Sequence, residues 1–162
     1  MSESFTLTSI ATVVGGHLEP ADDYQAGVTS IIRVHEHYPL ETLKGIDEFS
    51  HLVVHWRFHR AYPDDVQLHA RSPRGNARWP ETGTFVHRNH RRPNQIATSF
   101  PRLLRVDGRD LHVTDLDAVD GTPVLDLAPY FAQMGPRGEV IQPTWPAEML
   151  ADYWLDADQR PR

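Results

Sequence analysis

Short runs of alternating apolar and polar residues, separated by glycine, proline and aspartate, are the feature that most constrains this fold. Leu52, Val54, Trp56 and Phe58 occupy every second position of one run, so they would share one face of a strand. The same reasoning predicts strands within residues 5–14, 27–37, 51–60, 83–88, 101–113 and 124–127. Several short strands with frequent turns indicate a mostly-β chain, either a barrel or a sandwich.

The remaining segments contribute little regular structure. Asp107-Gly108 predicts a hairpin turn inside the 101–113 run. Apolar residues at helical spacing predict short helices at 40–46 and 147–154, whereas prolines make 61–81 a long loop. No strand–helix–strand alternation and no Gly-x-Gly-x-x-Gly motif is present, so a Rossmann-type nucleotide site is not expected.

Charge and composition narrow the possible functions. The 162 residues carry a net charge of -6, which argues against broad, non-specific affinity for nucleic acid. A local basic patch remains possible because six arginines lie between positions 71 and 92. No apolar run reaches membrane-spanning length and the N-terminus lacks signal-peptide character, so we expect a cytoplasmic protein without a membrane partner.

The sequence gives little support for a metal site or for a thiol nucleophile. The chain has no cysteine, which excludes disulfides, thiolate metal sites and thiol nucleophiles. His51, His55 and His59 are four residues apart and would share a strand face, but no carboxylate completes a usual ligand set. We therefore interpret them as half-exposed strand residues and predict no metal site.

Two polar stretches stand out as candidate ligand-binding segments. Arg88 precedes an Arg-Pro-Asn loop whose outward donors suit a carboxylate or phosphate, although a solvated basic loop explains it equally well. Four carboxylates lie between Asp115 and Asp126, and they repel each other unless a cation or hydrogen-bond donors meet some of them. Turn formation at Asp120-Gly121 is the alternative explanation. We expect the two stretches to meet around a ligand.

Five ordered motifs resemble the TsaA-like (TrmO) family. They are Leu-Lys-Gly-Ile-Asp-Glu-Phe-Ser-His-Leu at 43–52, Gly-Asn-Ala-Arg at 75–78, Gly-Thr-Phe-Val-His-Arg at 83–88, Arg-Pro-Asn-Gln-Ile-Ala at 92–97, and Asp-Ala-Val-Asp-Gly-Thr-Pro-Val-Leu-Asp-Leu-Ala-Pro-Tyr at 117–130. The resemblance implies one domain over residues 1–162, with a motif-bearing core of about 10–130. Residues 131–162 would form a C-terminal loop and short helix.

The resemblance also implies a fold, a cofactor and partners. The fold would be a small single-sheet β-barrel with a few short helices, acting as an S-adenosylmethionine-dependent tRNA adenine N6-methyltransferase and usually a homodimer. Apolar surface candidates for the dimer are Trp56, Phe58, Phe131 and Trp154. The cofactor-binding positions that it implies are Ala26, Gly27, Val28, His59, Arg60, Arg88, Thr98, Thr114, Asp115, Leu116 and Asp117.

Departures from the family pattern keep the methyl acceptor open. Val86-His87 and Gln95-Ile96-Ala97 replace Ala-Thr and Pro-Ile-Gly, and the C-terminal extension of longer bacterial members is expected to be absent. The acceptor could be tRNA, a small molecule or a peptide, and a non-catalytic S-adenosylmethionine-binding protein is a third alternative. His59 and His87 are candidates for contact with the acceptor or for proton removal. The candidate substrate-binding residues are Arg74, Arg78, Arg91 and Asn94.

Overall fold

The computed structural model describes residues 2–161, and its framework is one antiparallel sheet of seven strands. The strands are β1 (Ala11–Val14), β2 (Thr29–Val34), β3 (Leu52–Arg57), β4 (Ile96–Ser99), β5 (Arg102–Asp107), β6 (Asp110–Thr114) and β7 (Pro123–Pro129). The one α-helix within the described residues is α1 (Thr144–Met149). Short 3-10 helices are Leu40–Leu43, Ile46–Glu48, Pro63–Asp65, Pro73–Gly75, Thr84–Val86, Ala132–Met134 and Ala157–Gln159.

The strands lie in the spatial order β4-β3-β7-β1-β2-β6-β5. On one side of β7, Leu127 is opposite Val54, and on the other side Val124 is opposite Ala11. Only an isolated bridge between His51 and Arg102 connects the start of β3 to the start of β5 among residues 2–161. The prediction of a mostly-β chain with few helices is therefore confirmed, whereas a closed barrel is not shown.

The core lies on one face of this sheet because its strands alternate in burial. Ala11 and Val13 of β1 and Leu52 and Val54 of β3 are completely buried. Their neighbours in sequence are only partly buried, as expected for side chains with a period of two. Leu116, Ala118 and Val124 bring the acidic segment after β6 into the same core. The loops that carry the candidate site are thereby anchored to the sheet.

Several sequence-based strand predictions are confirmed with changed bounds, shortened in β1, β2 and β3 and lengthened in β7. β1, β2, β3 and β7 lie within or overlap the predicted runs, and β5 and β6 form the hairpin around Asp107-Gly108. The predicted strand at 83–88 is wrong, since Thr84–Val86 forms a 3-10 helix. β4 was not predicted. The shared strand face of His51, His55 and His59 is also wrong, because β3 contains only His55.

The helical predictions are confirmed in part. The short helix predicted at 40–46 is a 3-10 helix over Leu40–Leu43, and a second one, Ile46–Glu48, begins where the prediction ended. The C-terminal helix begins at Thr144 and ends at Met149, so it starts earlier than predicted and stops before Tyr153. Among residues 2–161, no helix is both long and apolar enough to cross a bilayer.

Candidate functional site

The loop at residues 26–28 packs against the end of β6. The Gly27 N–H donates to the Asp115 carboxylate at 2.9 Å, and the Asp115 N–H donates to the Val28 carbonyl at 3.3 Å. Gly27 has φ 75° and Asp115 has φ 62°, both in the left-handed region. Such a conformation is uncommon for a residue with a Cβ, and strained residues of this kind concentrate at functional sites. Two of the predicted cofactor-binding segments are thus brought together.

The Asp117 carboxylate lies between two hydroxyl donors. Ser99 Oγ donates to one of its oxygens, and the Tyr153 hydroxyl donates to the other. Ser99 Oγ also accepts a hydrogen bond of 2.9 Å from the Trp56 indole N–H. The pKa of Tyr153 is raised far above its ordinary value, mainly by burial and secondly by the negative charge of Asp117. The hydroxyl therefore keeps its proton and remains a donor.

Arg88 extends toward the same part of the molecule. Its guanidinium donates to the Thr98 carbonyl at 2.8 Å, which joins two more of the predicted cofactor positions. The positive charges of Arg88 and Arg74 each lower the pKa of Tyr153 and so partly offset its rise. Both guanidinium groups are therefore near the hydroxyl that donates to Asp117. Because Arg88 is exposed, its other N–H groups are open to a ligand anion.

His59 lies in the turn after β3, on the exposed surface beside Gly121. A Cβ on Gly121 would be 3.7 Å from the His59 Nε2 atom. Partial desolvation and the adjacent Arg60 guanidinium lower the pKa of His59 from 6.5, while Asp120 acts in the opposite direction. The imidazole is therefore neutral near pH 7 and can accept a proton.

Two cavities open beside β4. One has a volume of about 370 Å³ and is lined by Ala26, Phe100, Asp115 and Trp154. The other measures about 230 Å³ and is lined by Phe85, Arg92, Pro93, Asn94, Gln95, Ile96 and Thr98. The Nε atom of Arg92 is buried without a hydrogen-bond partner. The smaller cavity is lined by Ile96 and Thr98 of β4, and the larger one by Phe100, which directly follows that strand.

Other predicted site residues have structural partners instead. His87 is 5% exposed, and its Nε2 atom lies 3.0 Å from Thr82 Oγ1. The Arg74 guanidinium pairs with Asp23 at 2.8 Å, and Arg78 lies 3.7 Å from Glu148. The structure does not bring these side chains into either cavity, and Asn94 is the predicted substrate residue that lines one. The roles of His59 and His87 stay predictions.

Sequence reasoning missed four residues at the site. Ser99, Phe100, Tyr153 and Trp154 surround Asp117 and the larger cavity. Ser99 and Phe100 lie two and three residues after the motif at 92–97, so their proximity to it was a usable signal. Tyr153 and Trp154 gave only the signal of an amphipathic helix, which does not say where that segment packs. The same reasoning placed Trp56 on the surface, which is wrong because Trp56 is 5% exposed.

Metal binding has no structural support in the described part of the chain. Among residues 2–161, no three His, Asp or Glu side chains are arranged to hold a metal ion. His55 instead bonds Thr98 across β3 and β4 at 2.9 Å, and His51 bonds Ser50 at 2.8 Å.

Comparison with known proteins finds a matching family model and proteins of similar sequence. Residues 20–135 match the family model of the tRNA-methyltransferase O N-terminal domain. The human tRNA (adenine(37)-N6)-methyltransferase is 32% identical over 75% of this chain and 26% of its own length. A putative S-adenosylmethionine-dependent methyltransferase, RcsF, from Pseudomonas aeruginosa is 32% identical over 72% of this chain and 49% of its own. The chain thus spans a quarter to a half of these relatives.

A solved structure shows the same fold. A crystal structure of TrmO from P. aeruginosa superimposes with a TM-score of 0.70 at 21% identity, over 88% of this chain and 62% of the other. At that identity the similarity establishes the arrangement of the strands and no more.

Proposed function

This chain belongs to the tRNA-methyltransferase O N-terminal domain family, and on that premise we propose that it is an S-adenosylmethionine-dependent methyltransferase. The acceptor that we propose is an adenosine next to the tRNA anticodon. The observation that carries the proposal is the meeting of residues 26–28 with Asp115 beside a cavity of about 370 Å³. This meeting lies within the part of the chain that matches the family.

The residues around the larger cavity fit a nucleoside cofactor that bears a positive sulfur. The carboxylates of Asp115 and Asp117 can accept hydrogen bonds from ribose hydroxyls or an ammonium group, and they favour nearby positive charge. The Arg88 guanidinium can hold a carboxylate. When bound, S-adenosylmethionine supplies an activated methyl group, so the protein's main task is alignment of the two reactants.

His59 is the residue that we propose for proton removal from the acceptor. Its lowered pKa keeps the imidazole neutral near pH 7, and its exposed position leaves it open to a substrate. His87 is better suited to holding the 82–87 loop, because its ring is buried against Thr82. The acceptor side of the site would then include Asn94 and Arg92, which line the second cavity.

A small molecule or a peptide is the second candidate acceptor. Two observations favour it, the net charge of -6 and the internal pairing of Arg74 with Asp23. Both reduce the positive surface that tRNA phosphates require. We further propose, from the family resemblance, a cytoplasmic homodimer and closure of the sheet into a barrel through the His51–Arg102 bridge.

The cofactor claim is tested by calorimetric titration with S-adenosylmethionine. We expect saturable binding by the wild-type protein and a loss of at least about tenfold in Arg88→Ala, because a charge-assisted contact is removed. Arg105→Ala is the matched control, since Arg105 is exposed on β5 and its guanidinium pairs with the nearby surface residue Asp107 at 3.5 Å. Wild-type protein that binds no cofactor at millimolar concentration would refute the proposal.

The acceptor is tested with methyl-labelled cofactor and unfractionated tRNA at low salt. We expect labelled methyl groups in tRNA, and less label as salt rises, because each phosphate contact releases counterions. Cofactor binding without incorporation into tRNA would instead support the small-molecule or peptide acceptor. Incorporation into no acceptor of any class would support the alternative of a non-catalytic binding protein.

A further inference from the structure

The larger cavity has a wall built from residues outside the segment that matches the family. Trp154 lies beyond residue 135 and lines this cavity together with the family-matched residues Ala26, Asp115 and Phe100. Trp154 is 54% exposed and Phe100 is 50% exposed, so both aromatic residues have surface open to a ligand. A small residue, a carboxylate and two open aromatic faces are the lining expected for a flat heteroaromatic ligand.

A second aromatic ring supports each of these faces. Tyr153 meets Trp154 edge to face, with centroids 4.9 Å apart and planes at 84°. Tyr130 meets Phe100 in the same way, with centroids 5.6 Å apart and planes at 89°. This packing restricts the orientation of the two cavity-lining rings, and a ring held in place loses less entropy when a ligand stacks on it.

Backbone contacts hold the C-terminal segment, residues 144–159, against the loop that precedes β2. The Tyr24 N–H donates to the Asp152 carbonyl at 3.1 Å, and the Gln25 N–H donates to the Tyr153 carbonyl at 2.8 Å. Ala26 and Asp156 form an isolated parallel bridge. The segment is therefore tied to the cavity at Tyr153, directly before Trp154, and at Asp156, two residues after it.

The hydroxyl of Tyr153 holds the C-terminal segment in place through a further contact. It donates to the Asp117 carboxylate, which also receives the Ser99 hydroxyl. Tyr153 and Trp154 are adjacent in the chain, so a hydrogen bond that holds the first ring also sets the position of the second. The hydrogen bond between Tyr153 and Asp117 therefore helps to hold Trp154 in the wall of the cavity that Asp115 also lines.

We propose that the C-terminal segment completes the cofactor pocket, with the Trp154 indole stacked on the purine ring of the bound nucleoside. Phe100 provides the other aromatic contact, and Tyr153 positions the wall through Asp117. The inference rests on the proposed function, since it assumes an adenosine-containing ligand. It assigns a binding role to a part of the chain that lies outside the family match.

The test combines calorimetry with tryptophan fluorescence, using S-adenosylmethionine and S-adenosylhomocysteine as ligands. Trp154→Ala should weaken both ligands by about tenfold or more, as removal of an aromatic stacking partner does for nucleobases. Trp154→Phe should retain most of the affinity because it keeps an aromatic face. Leu150→Ala is the control, an exposed residue of the same segment that does not line the cavity.

Fluorescence distinguishes stacking from a merely structural role. The chain has four tryptophans, of which Trp56 and Trp145 are buried. Ligand binding should quench wild-type emission, and Trp154→Phe should bind while losing most of that quenching. Wild-type affinity in Trp154→Ala, or full quenching in Trp154→Phe, would overturn the inference and leave the proposed function intact. Absence of ligand binding by the wild-type protein would overturn both.

Discussion

At the scale of single residues, unusual backbone conformations are concentrated around the proposed site. Among residues 2–161, the residues with a side chain and a positive φ are Tyr24, Arg74, Gln95 and Asp115. Each conformation costs on the order of 1–3 kcal/mol unless its surroundings hold it in place. The surroundings are specific here: Arg74 pairs with Asp23 at 2.8 Å, and the Gln95 amide donates to the Tyr62 carbonyl at 2.8 Å. The loops of the site are therefore maintained in one shape by polar contacts.

His17 makes the stability of the protein depend on pH. Burial lowers its pKa below 6.5, and its Nε2 atom is buried without a hydrogen-bond partner. Below about pH 6.5 the unfolded chain therefore binds a proton at His17 that the folded chain binds less readily. The free energy of unfolding should consequently fall as the pH is lowered through this range.

Urea unfolding at pH 7.5 and pH 5.5 measures this effect. We expect the loss of stability between the two pH values to be smaller in His17→Gln than in the wild type, because the variant lacks the titrating ring. His69→Gln, a change at an exposed position, is the control. An equal loss in wild type and His17→Gln would show that other groups carry the pH dependence.

Gln95 and His87 show what the sequence can say about individual positions. Both were notable because they depart from a family motif, and such a departure was interpreted as a possible change in specificity. In the structure both are buried and hydrogen-bonded, with exposures of 3% and 5%, His87 to Thr82 of its own loop and Gln95 to Tyr62 of a distant one. A sequence marks a position as unusual, but a partner such as that of Gln95 becomes visible only when distant loops are placed together.

At the scale of elements, local turn chemistry was predictable and long-range pairing was not. The hairpin of β5 and β6 was predictable because Asp107-Gly108 favours a tight turn between adjacent strands. β4 was missed because its four residues form a strand only through pairing with β3, about forty positions earlier. Phe85 and Val86 suggested a strand by composition, yet Phe85 is 80% exposed in a 3-10 helix.

Ser99 belongs to a chain of hydrogen bonds that links β3, β4, the segment with Asp117 and the C-terminal segment with Tyr153. Its replacement should therefore lower both the stability of the protein and its affinity for the cofactor. Trp56 of β3 donates to Ser99 of β4, and Ser99 donates to Asp117, which also binds Tyr153. Ser99→Ala leaves the buried Trp56 N–H without an acceptor, which costs about 1–3 kcal/mol. It should also weaken cofactor binding, because Asp117 loses one of the two donors that orient it.

Chemical denaturation and calorimetry of Ser99→Ala measure both effects. Ser50→Ala is the matched control, since the Ser50 hydroxyl is exposed and bonds only the adjacent His51 at 2.8 Å. We expect the control to change the free energy of unfolding by less than about 0.5 kcal/mol. A Ser99→Ala protein as stable as the control would contradict the proposed connection.

At the scale of the whole molecule, internal ion pairs reduce the basic surface that the arginine-rich segment would otherwise present. Arg74 is held by Asp23, and Arg78 lies near Glu148 of α1. The excess negative charge of the chain is therefore only partly offset by a local positive surface. A tRNA acceptor would consequently depend on a few close contacts rather than on long-range attraction.

The proposed homodimer requires an apolar face, and the structure revises the residues that could provide it. Of the residues named from the sequence, Phe131 is 45% exposed and packs on Phe49, with ring centroids 5.6 Å apart. Trp56 is excluded by its burial.

Light scattering at micromolar concentration should give about twice the monomer mass of 18.5 kDa. Phe131→Asp should shift the mass toward the monomer, whereas Ile141→Asp, at an exposed loop position, should not. A wild-type monomer would contradict the dimer.

The central position of β7 has a consequence for how the protein is made. β7 lies between β3 and β1, so it joins the β4-β3 pair to the group formed by β1, β2, β6 and β5. A chain that emerges from the ribosome presents six strands before residues 123–129 are synthesised, and within the described residues the isolated His51–Arg102 bridge is the strand pairing that links the two groups without β7. Each group then exposes a free edge to neighbouring chains. Folding of this protein should therefore be late, slow and sensitive to crowding by its own nascent copies.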